Sequence, residues 1–388
     1  MGGTQVHCHT LAETAVKKGH SVIVLTTRHP KGVEVEQRQG YSIYYLPDTT
    51  PGRLNSAWWR QSLSKIIEIN KKDKIDIIWA ENLSGYYYAL KAGLKINIPL
   101  ISIIQGSGLS GHIKSEWNRV STFKEFCIFM LKRLPEAFLC YLPWFKSVAR
   151  NSNAIAAVSD QAKQGLEREF GIENKRLFVV YNGIDTEIFK PDKQKRERIR
   201  KKFSLKDNDK VILMLGIAHK QKGMHIGLRA FVKVAKEVPG AKIMVVGDGI
   251  ELRSLKILAR RLNIDKEVIF AGLIPNEETS FYYNAADVFL NPTLRDEGHP
   301  IVMVEAMASG LACVASAIGG TQATIDEGVS GFFVRPKDEE TLAKRTIEIL
   351  SDPELKARLS KNAREKAISK FSKDNMIESY LRISESLR

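Results

Sequence analysis

Two glutamates eight residues apart flank a predicted helix start, and together they could bind a sugar that carries a phosphate. Glu297 lies in a loop rich in turn-forming residues, and Glu305 lies about two turns further along. Pro300 suits the first turn of the intervening helix, where its missing N–H is not needed, and Gly310 is placed to end that helix. Free backbone N–H groups and the helix dipole favour a phosphate there, while the carboxylates would accept hydrogen bonds from sugar hydroxyls.

The same spacing also has a purely structural interpretation. Glutamate is a common residue, so helical proteins contain pairs at this spacing by chance. Glu297 would then only complement the helix dipole, and Glu305 would be a solvated helix residue. The organisation of the whole chain is needed to decide between the two interpretations.

Apolar runs of strand length alternate with helix-length segments, which predicts mostly parallel sheets covered by helices. The predicted strands of the first half are Ser21–Leu25, Ser42–Leu46, Asp76–Ala80, Leu100–Ile104, Ala154–Val158 and Leu177–Val180. Those of the second half are Val211–Leu215, Lys242–Val246, Val268–Phe270, Asp287–Leu290, Ala312–Ala315 and Phe332–Val334. The predicted helices include Gln5–Lys18, Leu54–Asn70, Gly85–Leu94 and Asp374–Leu387. A chain of 388 residues is long enough for two domains, and we place their boundary near the basic run Lys193–Lys202.

The composition is that of a soluble globular protein, without a signal-peptide pattern or an apolar run of the roughly 18 residues that a membrane span needs. Cys8, Cys127, Cys140 and Cys313 are scattered, so they predict neither a disulfide framework nor a zinc site, and a reducing cytoplasm fits. The net charge of +15 favours an anionic partner, with a solvated basic surface as an equal alternative. Nucleic acid is the least favoured partner because the chain has no nucleic-acid-binding signature.

The alternation of strands and helices breaks down between His112 and Arg150, where aromatic and large apolar residues are interleaved with basic ones. The apolar set is Trp117, Phe123, Phe126, Phe129, Leu134, Phe138, Tyr141, Leu142, Trp144 and Phe145. The basic set is Lys114, Lys124, Lys132, Arg133 and Lys146. Such a segment could lie in a membrane interface. Alternatively, its helices pack on the domain core while the lysines reach out to solvent.

Short motifs spread over nearly the whole chain resemble one known family. They are GGTQVHCHTLAETAVKKGHSVIVLT at the start, AIAAVSD at Ala154–Asp160, YNGID at Tyr181–Asp185, KG at Lys222–Gly223, VVGDG at Val245–Gly249, EGHPIVMVEAMASG from Glu297, GGTQATIDEGVSGFFV at Gly319–Val334 and FSKDNMIESYL near the end. In this order and spacing they resemble the family-4 glycosyltransferases, which are retaining enzymes. The family assignment rests on the whole set, since no single motif is decisive.

The resemblance implies an α/β fold of two Rossmann-like, doubly wound domains that face each other across a cleft, the GT-B architecture. Residues 1–187 would form the acceptor-side domain, residues 188–372 the nucleotide-sugar domain, and residues 373–388 a helix that packs back on the first domain. The implied reaction moves a hexose from a nucleotide diphosphate sugar to a glycan or lipid-linked acceptor, in surface polysaccharide or glycolipid synthesis. The expected location is the cytoplasm, with the inner face of an anionic membrane as an alternative.

The family pattern also implies roles for individual residues. Glu297 would hold hydroxyls of the donor sugar, Glu305 the ribose hydroxyls, and Lys222 would neutralise part of the diphosphate charge. Gln105 joins Glu297 as a catalytic candidate. The remaining donor-binding candidates are Gly2, Gly3, Gly298, His299, Pro300, Ile301 and Val302. The reaction would retain the anomeric configuration, and the leaving diphosphate would assist deprotonation of the acceptor. No metal ion or other cofactor is expected.

Three departures from the family pattern are present. The strand that usually precedes the first glycine loop is absent, so Gly2 and Gly3 would begin the chain. Either the start is misassigned, which we favour, or the first domain lacks a strand. Gln105 stands where the family usually has a histidine, and glutamine cannot shuttle a proton. Ile217 stands where an arginine is expected before the KG motif, with Lys220 or His219 as a substitute.

These departures support an alternative function, that of a catalytically impaired GT-B protein that acts as a binding partner in a glycan assembly complex. A nucleotide-sugar epimerase on a related fold is a third, less favoured hypothesis. The donor sugar, its nucleotide and the acceptor are not specified by the motifs.

Overall fold

The first half of the chain forms two small sheets with covering helices. The computed structural model describes residues 2–38, 40–91, 96–106, 108–117, 120 and 122–388. The elements of the first half are, in order, α1 Gly3–Lys17, β1 Val22–Thr27, β2 Val35–Arg38, β3 Tyr41–Leu46, α2 Ser56–Lys72, β4 Ile78–Glu81, α3 Tyr86–Lys91, β5 Leu100–Ile104, α4 Gly108–Trp117, α5 Phe123–Ile128, α6 Leu134–Glu136, α7 Leu142–Asn151, β6 Ala154–Ala157, α8 Asp160–Phe170 and β7 Leu177–Val179.

These strands are ordered β1-β3-β2 in one sheet and β4-β5-β6-β7 in the other. All neighbours are parallel except β2, which pairs antiparallel with β3. The sequence analysis missed β2, because its residues are mostly polar and part-exposed, as is common for a short edge strand. The predicted helix over residues 85–94 is present as α3, and residues 92–94 of that prediction lie outside the described residues.

The second half forms one six-stranded parallel sheet with helices on both faces. Its elements are α9 Lys193–Lys202, β8 Lys210–Leu215, α10 Met224–Glu237, β9 Ala241–Val246, α11 Leu252–Arg261, β10 Val268–Gly272, α12 Thr279–Ala285, β11 Val288–Asn291, α13 Ile301–Ala308, β12 Ala312–Ser316, α14 Thr321–Thr324, β13 Gly331–Val334, α15 Glu339–Ser351, α16 Pro353–Phe371 and α17 Lys373–Glu385. The strand order is β10-β9-β8-β11-β12-β13, the doubly wound order of a Rossmann-like sheet.

The periodicity of the strands explains why this sheet is covered on both sides. Along β8, Ile212 and Met214 enter one apolar core with helices α10, α11 and α15. Val211 and Leu213 point the other way, into a second core with α9, α12, α13 and α16. Because successive side chains of a strand face opposite sides, a continuously apolar strand needs a helical layer on each face.

The last helix returns to the first half of the chain. Met376, Ile377 and Tyr380 on α17 are buried in one cluster with Leu11 of α1 and Ile101 of β5. The backbone of the incoming segment also bonds to the connection that leaves β7, since the Ile184 N–H donates to the Phe371 carbonyl at 2.9 Å. The two halves are therefore joined at this crossing.

A long helical run follows α4. It consists of α5, a π-helical turn at Phe129–Arg133, α6, a second π-helical turn at Ala137–Tyr141, and α7. Within the described ranges, every helix is too short or too polar to cross a lipid bilayer.

Candidate functional site

The candidate site lies where the sheet of the second half changes its winding direction. β8 and β11 are neighbours, but the chain leaves them toward opposite edges of the sheet. The loops that follow them, residues 216–223 and 292–300, therefore meet beyond the carboxyl ends of the strands. Ligands of open α/β sheets bind in this crevice. The predicted helix start is correct, because α13 begins at Ile301, directly after Pro300, and Gly310 follows its end with φ +78°.

Glu297 forms an ion pair with Lys222, at 2.8 Å between Oε1 and Nζ, and its side chain is only 13% exposed. The Thr293 hydroxyl donates to the same carboxylate at 3.0 Å. Burial disfavours ionisation of Glu297, but Lys222, Arg295 and Thr293 more than offset it, so the pKa of Glu297 lies below its usual value. Glu297 is thus an ionised acceptor in a sheltered position, and the sequence analysis missed Thr293 as its partner.

Lys222 is held in place by a glycine that the backbone requires. Gly223 has φ +67°, and a Cβ there would lie 1.8 Å from the Pro292 carbonyl oxygen. The Leu294 N–H donates to the Gln221 carbonyl at 2.8 Å, which joins the two loops. The KG motif therefore places a cation against the carboxylate of the second loop.

Glu305 is buried, with 4% exposure, and its Oε2 accepts a hydrogen bond from the Tyr283 hydroxyl at 2.8 Å. Burial raises the pKa of Glu305 to about 7, and the Tyr283 hydrogen bond lowers it by a smaller amount. The interpretation of Glu305 as a solvated helix residue is therefore wrong. Tyr283, on α12, is a second residue that sequence reasoning missed, because only the tertiary packing of α12 against α13 brings it to the carboxylate.

Gln105 follows β5 and reaches the same crevice from the first half of the chain. The Asn182 Nδ2 donates to Gln105 Oε1 at 3.1 Å and to the His299 carbonyl at 2.9 Å. A backbone carbonyl only accepts hydrogen bonds, so the contact with the His299 carbonyl requires that the NH₂ group of Asn182, and not its oxygen, points toward His299 and Gln105. That group in turn holds the Gln105 oxygen, which leaves the buried Gln105 Nε2 as a donor without a protein partner among the described residues.

Glycines let the two halves approach closely around Glu297. A Cβ on Gly298 would lie 2.4 Å from the Gln105 carbonyl oxygen, and one on Gly320 would lie 1.3 Å from the Gly298 carbonyl oxygen. The Gly320 N–H also donates to the Glu297 carbonyl at 2.7 Å. The loop that carries Glu297 is thus held between Gly320 and the end of β5.

The starts of α1 and α13 lie close to each other. A Cβ on Gly3 would be 3.9 Å from Ile301 Cδ1, and Gly2 would meet nothing within 4 Å. The first N–H groups of a helix have no partner inside it, so two such ends at one place favour an anion. Val302 belongs to the partly buried set around the second core of the C-terminal sheet.

His299 contributes mainly packing and its backbone carbonyl. Its ring lies between Tyr181 and Phe371, with ring centroids 5.3 and 4.8 Å away. Burial, with Lys366 and His7 nearby, lowers the pKa of His299 to about 3, so the ring is neutral.

The residues proposed to replace the family arginine have other contacts. His219 accepts from the Gln221 N–H at 3.2 Å, and the Lys220 ammonium pairs with Glu125 at 2.8 Å. Ile217, at the position of the expected arginine itself, is 58% exposed. Lys222 is the residue whose ammonium directly contacts the candidate carboxylate.

Two family models match the chain. Glycosyltransferase Family 4 matches residues 1–188, and Glycosyl transferases group 1 matches residues 195–366. A glycosyltransferase of Methanocaldococcus jannaschii is 27% identical over 97% of this chain and 92% of its own length. The N-acetyl-alpha-D-glucosaminyl L-malate synthase of Bacillus anthracis is 28% identical, over 53% of each chain.

Solved structures agree on the fold. Sucrose-phosphate synthase from Thermosynechococcus elongatus aligns with a TM-score of 0.83 at 20% identity, over 100% of this chain and 94% of its own. HepE from Anabaena, in complex with UDP, aligns with a TM-score of 0.76 at 18% identity, over 99% of this chain and 96% of its own. Both family models and the GT-B architecture lead to one conclusion: the chain is a glycosyltransferase of family 4.

Proposed function

We propose that this glycosyltransferase moves a hexose, with retention, from a nucleotide diphosphate sugar to a glycan or lipid-linked acceptor, in surface polysaccharide or glycolipid synthesis. The observation that carries the proposal is the pairing of Glu297 with Lys222 at the start of α13. The buried Glu305 lies on the same helix. HepE, a structural relative, has been crystallised with UDP and with UDP-glucose, which supports a nucleotide sugar as the donor class.

In this proposal each group acts on a different part of the donor. The ribose hydroxyls donate to Glu305, and the diphosphate lies between Lys222 and the N–H groups at the starts of α13 and α1. Glu297 accepts from hydroxyls of the hexose, and the Gln105 Nε2 donates to a substrate oxygen. The proposed domains are residues 1–187 and 188–372, with residues 373–388 as the closing helix. The proposed location is the cytoplasm.

The chemistry needs positioning and charge stabilisation rather than a metal ion. The bond from the anomeric carbon to the diphosphate oxygen breaks, and a bond from that carbon to the acceptor oxygen forms on the same face of the sugar. The acceptor proton passes to the leaving diphosphate. Lys222 and the helix ends would stabilise the charge that develops on that group.

The test is release of the nucleotide diphosphate from a panel of UDP-, GDP- and ADP-sugars, with added glycan and lipid acceptors. We expect turnover with one nucleotide class, a loss of at least about a hundredfold in Glu297→Gln, and no loss in the exposed Glu237→Gln control. Product anomeric configuration, read by NMR, tests retention. Binding of a nucleotide sugar without turnover from any donor would favour the second candidate, a non-catalytic partner, which Gln105 and Ile217 support.

A further inference from the structure

The helical run from Phe123 to Asn151 presents a row of apolar side chains to solvent. Phe123, Leu131 and Leu139 recur at every eighth residue and are 81%, 81% and 76% exposed. Exposed apolar residues of this size are usually scattered singly on a protein surface, whereas these lie on one continuous helical segment.

A second row with the same period faces the protein. Phe129, Ala137 and Phe145 also recur at every eighth residue, and all three are buried. The two π-helical turns lengthen the average turn from about 3.6 to about four residues, so positions eight apart share a face and positions two apart lie on opposite faces. The helix therefore has one strip that anchors it to the domain and an opposite apolar strip in solvent.

Positive charge accompanies the exposed row. Lys124 and Lys132 directly follow Phe123 and Leu131, and both lysines are exposed. Over residues 122–150 the basic side chains are Lys124, Lys132, Arg133, Lys146 and Arg150, against the acidic Glu125 and Glu136. An apolar strip with a basic border is the pattern of a helix that lies in the interface of an anionic bilayer.

The start of this row lies close to the candidate donor site. Glu125, two residues after Phe123, pairs with Lys220 at 2.8 Å, and Lys222 in the same short turn pairs with Glu297. A molecule embedded beside Phe123 would thus have its polar end near the cleft.

We propose that the row of Phe123, Leu131 and Leu139 docks on an anionic lipid bilayer, and that the acceptor is a lipid whose headgroup enters the cleft. The acceptor part rests on the proposed transferase function. A bilayer is favoured over a second copy of the chain because two copies would bring the same basic borders together, whereas anionic headgroups complement them.

The experiment measures co-sedimentation of the full chain with vesicles of phosphatidylcholine, alone or mixed with phosphatidylglycerol. Leu131→Ser/Leu139→Ser is compared with Ile250→Ser/Leu273→Ser, a control pair of equal exposure, 79% and 77%, in the other half of the chain. We expect binding to the anionic vesicles only, a loss of about tenfold or more in the first variant, and none in the control.

Equal binding by both variants, or no binding by the unmodified chain, would overturn the docking surface. The docking surface would also be overturned if the unmodified chain does not bind vesicles but forms a dimer in size-exclusion chromatography without lipid, and only Leu131→Ser/Leu139→Ser dissociates that dimer.

The acceptor is tested with radiolabelled nucleotide sugars and vesicles of phosphatidylglycerol mixed with total lipid extracts. Label in the organic phase should fall about tenfold in Leu131→Ser/Leu139→Ser, while hydrolysis of the donor in water stays unchanged. Donor turnover without label in lipid would overturn the lipid acceptor and leave the transferase function standing. Vesicle binding without any donor turnover would instead count against the proposed function and leave the surface standing.

Discussion

Replacing Glu305 with glutamine should make the protein more stable at alkaline pH while weakening nucleotide binding. Burial raises the pKa of Glu305 from 4.5 to about 7. A carboxyl whose folded-state pKa is raised costs nothing below the unfolded value, and its cost grows as pH rises from about 4.5 to about 7. The difference between these two pKa values corresponds to about 3 kcal/mol of folding stability lost at a pH above about 7. Glutamine has the same shape but never ionises.

The assay is urea unfolding of the unmodified chain and Glu305→Gln at pH 5 and pH 8.5, with the exposed Glu237→Gln as control. We expect Glu305→Gln to gain about 2–3 kcal/mol at the higher pH and little at the lower one. The gain in the free energy of unfolding measures how much the ionised Glu305 destabilises the fold. Functional groups often lower stability in this way. A gain that is the same at both pH values, or a loss at pH 8.5, would refute the reasoning.

Three further perturbations follow from the site geometry. Tyr283→Phe removes a hydrogen bond that stabilises the ionised Glu305, so the pH midpoint of nucleotide binding, measured by calorimetry, should rise; an unchanged midpoint would contradict the coupling. Asn182→Ala and Gln105→Ala should each lower kcat by about tenfold, and the double variant should lower kcat no further. If the two losses add in the double variant, Asn182 does not act through Gln105. Gly320→Ala should lower the free energy of unfolding by more than about 2 kcal/mol in urea, because its Cβ meets a backbone carbonyl; a smaller change would mean that the loop yields.

Local signals in the sequence predicted the elements well. The start of α13 and the alternating strands of the second half follow from Pro300, Gly310 and the apolar runs, and the fold class is confirmed. The strand β2 escaped because a polar edge strand has no apolar alternation to read.

The partners within the site could not be read in the same way. Tyr283 is 22 positions from Glu305, and Asn182 is 77 positions from Gln105, so only tertiary packing brings each pair together. Ionisation depends on the same packing, because burial sets the pKa of Glu305 and a sequence pattern carries no burial.

The aromatic segment is an intermediate case. Phe129 and Phe145 pack inward, as the core interpretation predicts, while Leu131 and Leu139 face solvent, and the membrane-interface interpretation stays a proposal. The eight-residue period was present in the sequence, but it matches neither an α-helix nor a strand, and it becomes intelligible only with the π-helical turns.

The measurement that tests the central claim most directly is calorimetric binding of UDP and GDP, each compared with its 2′,3′-dideoxy form, to the unmodified chain and to Glu305→Ala. If Glu305 holds the ribose, the unmodified chain should bind one nucleotide at least about tenfold more tightly than its dideoxy form, and Glu305→Ala should lose that preference. Tight binding with the same preference in both proteins would place the ribose elsewhere and contradict the proposed donor site.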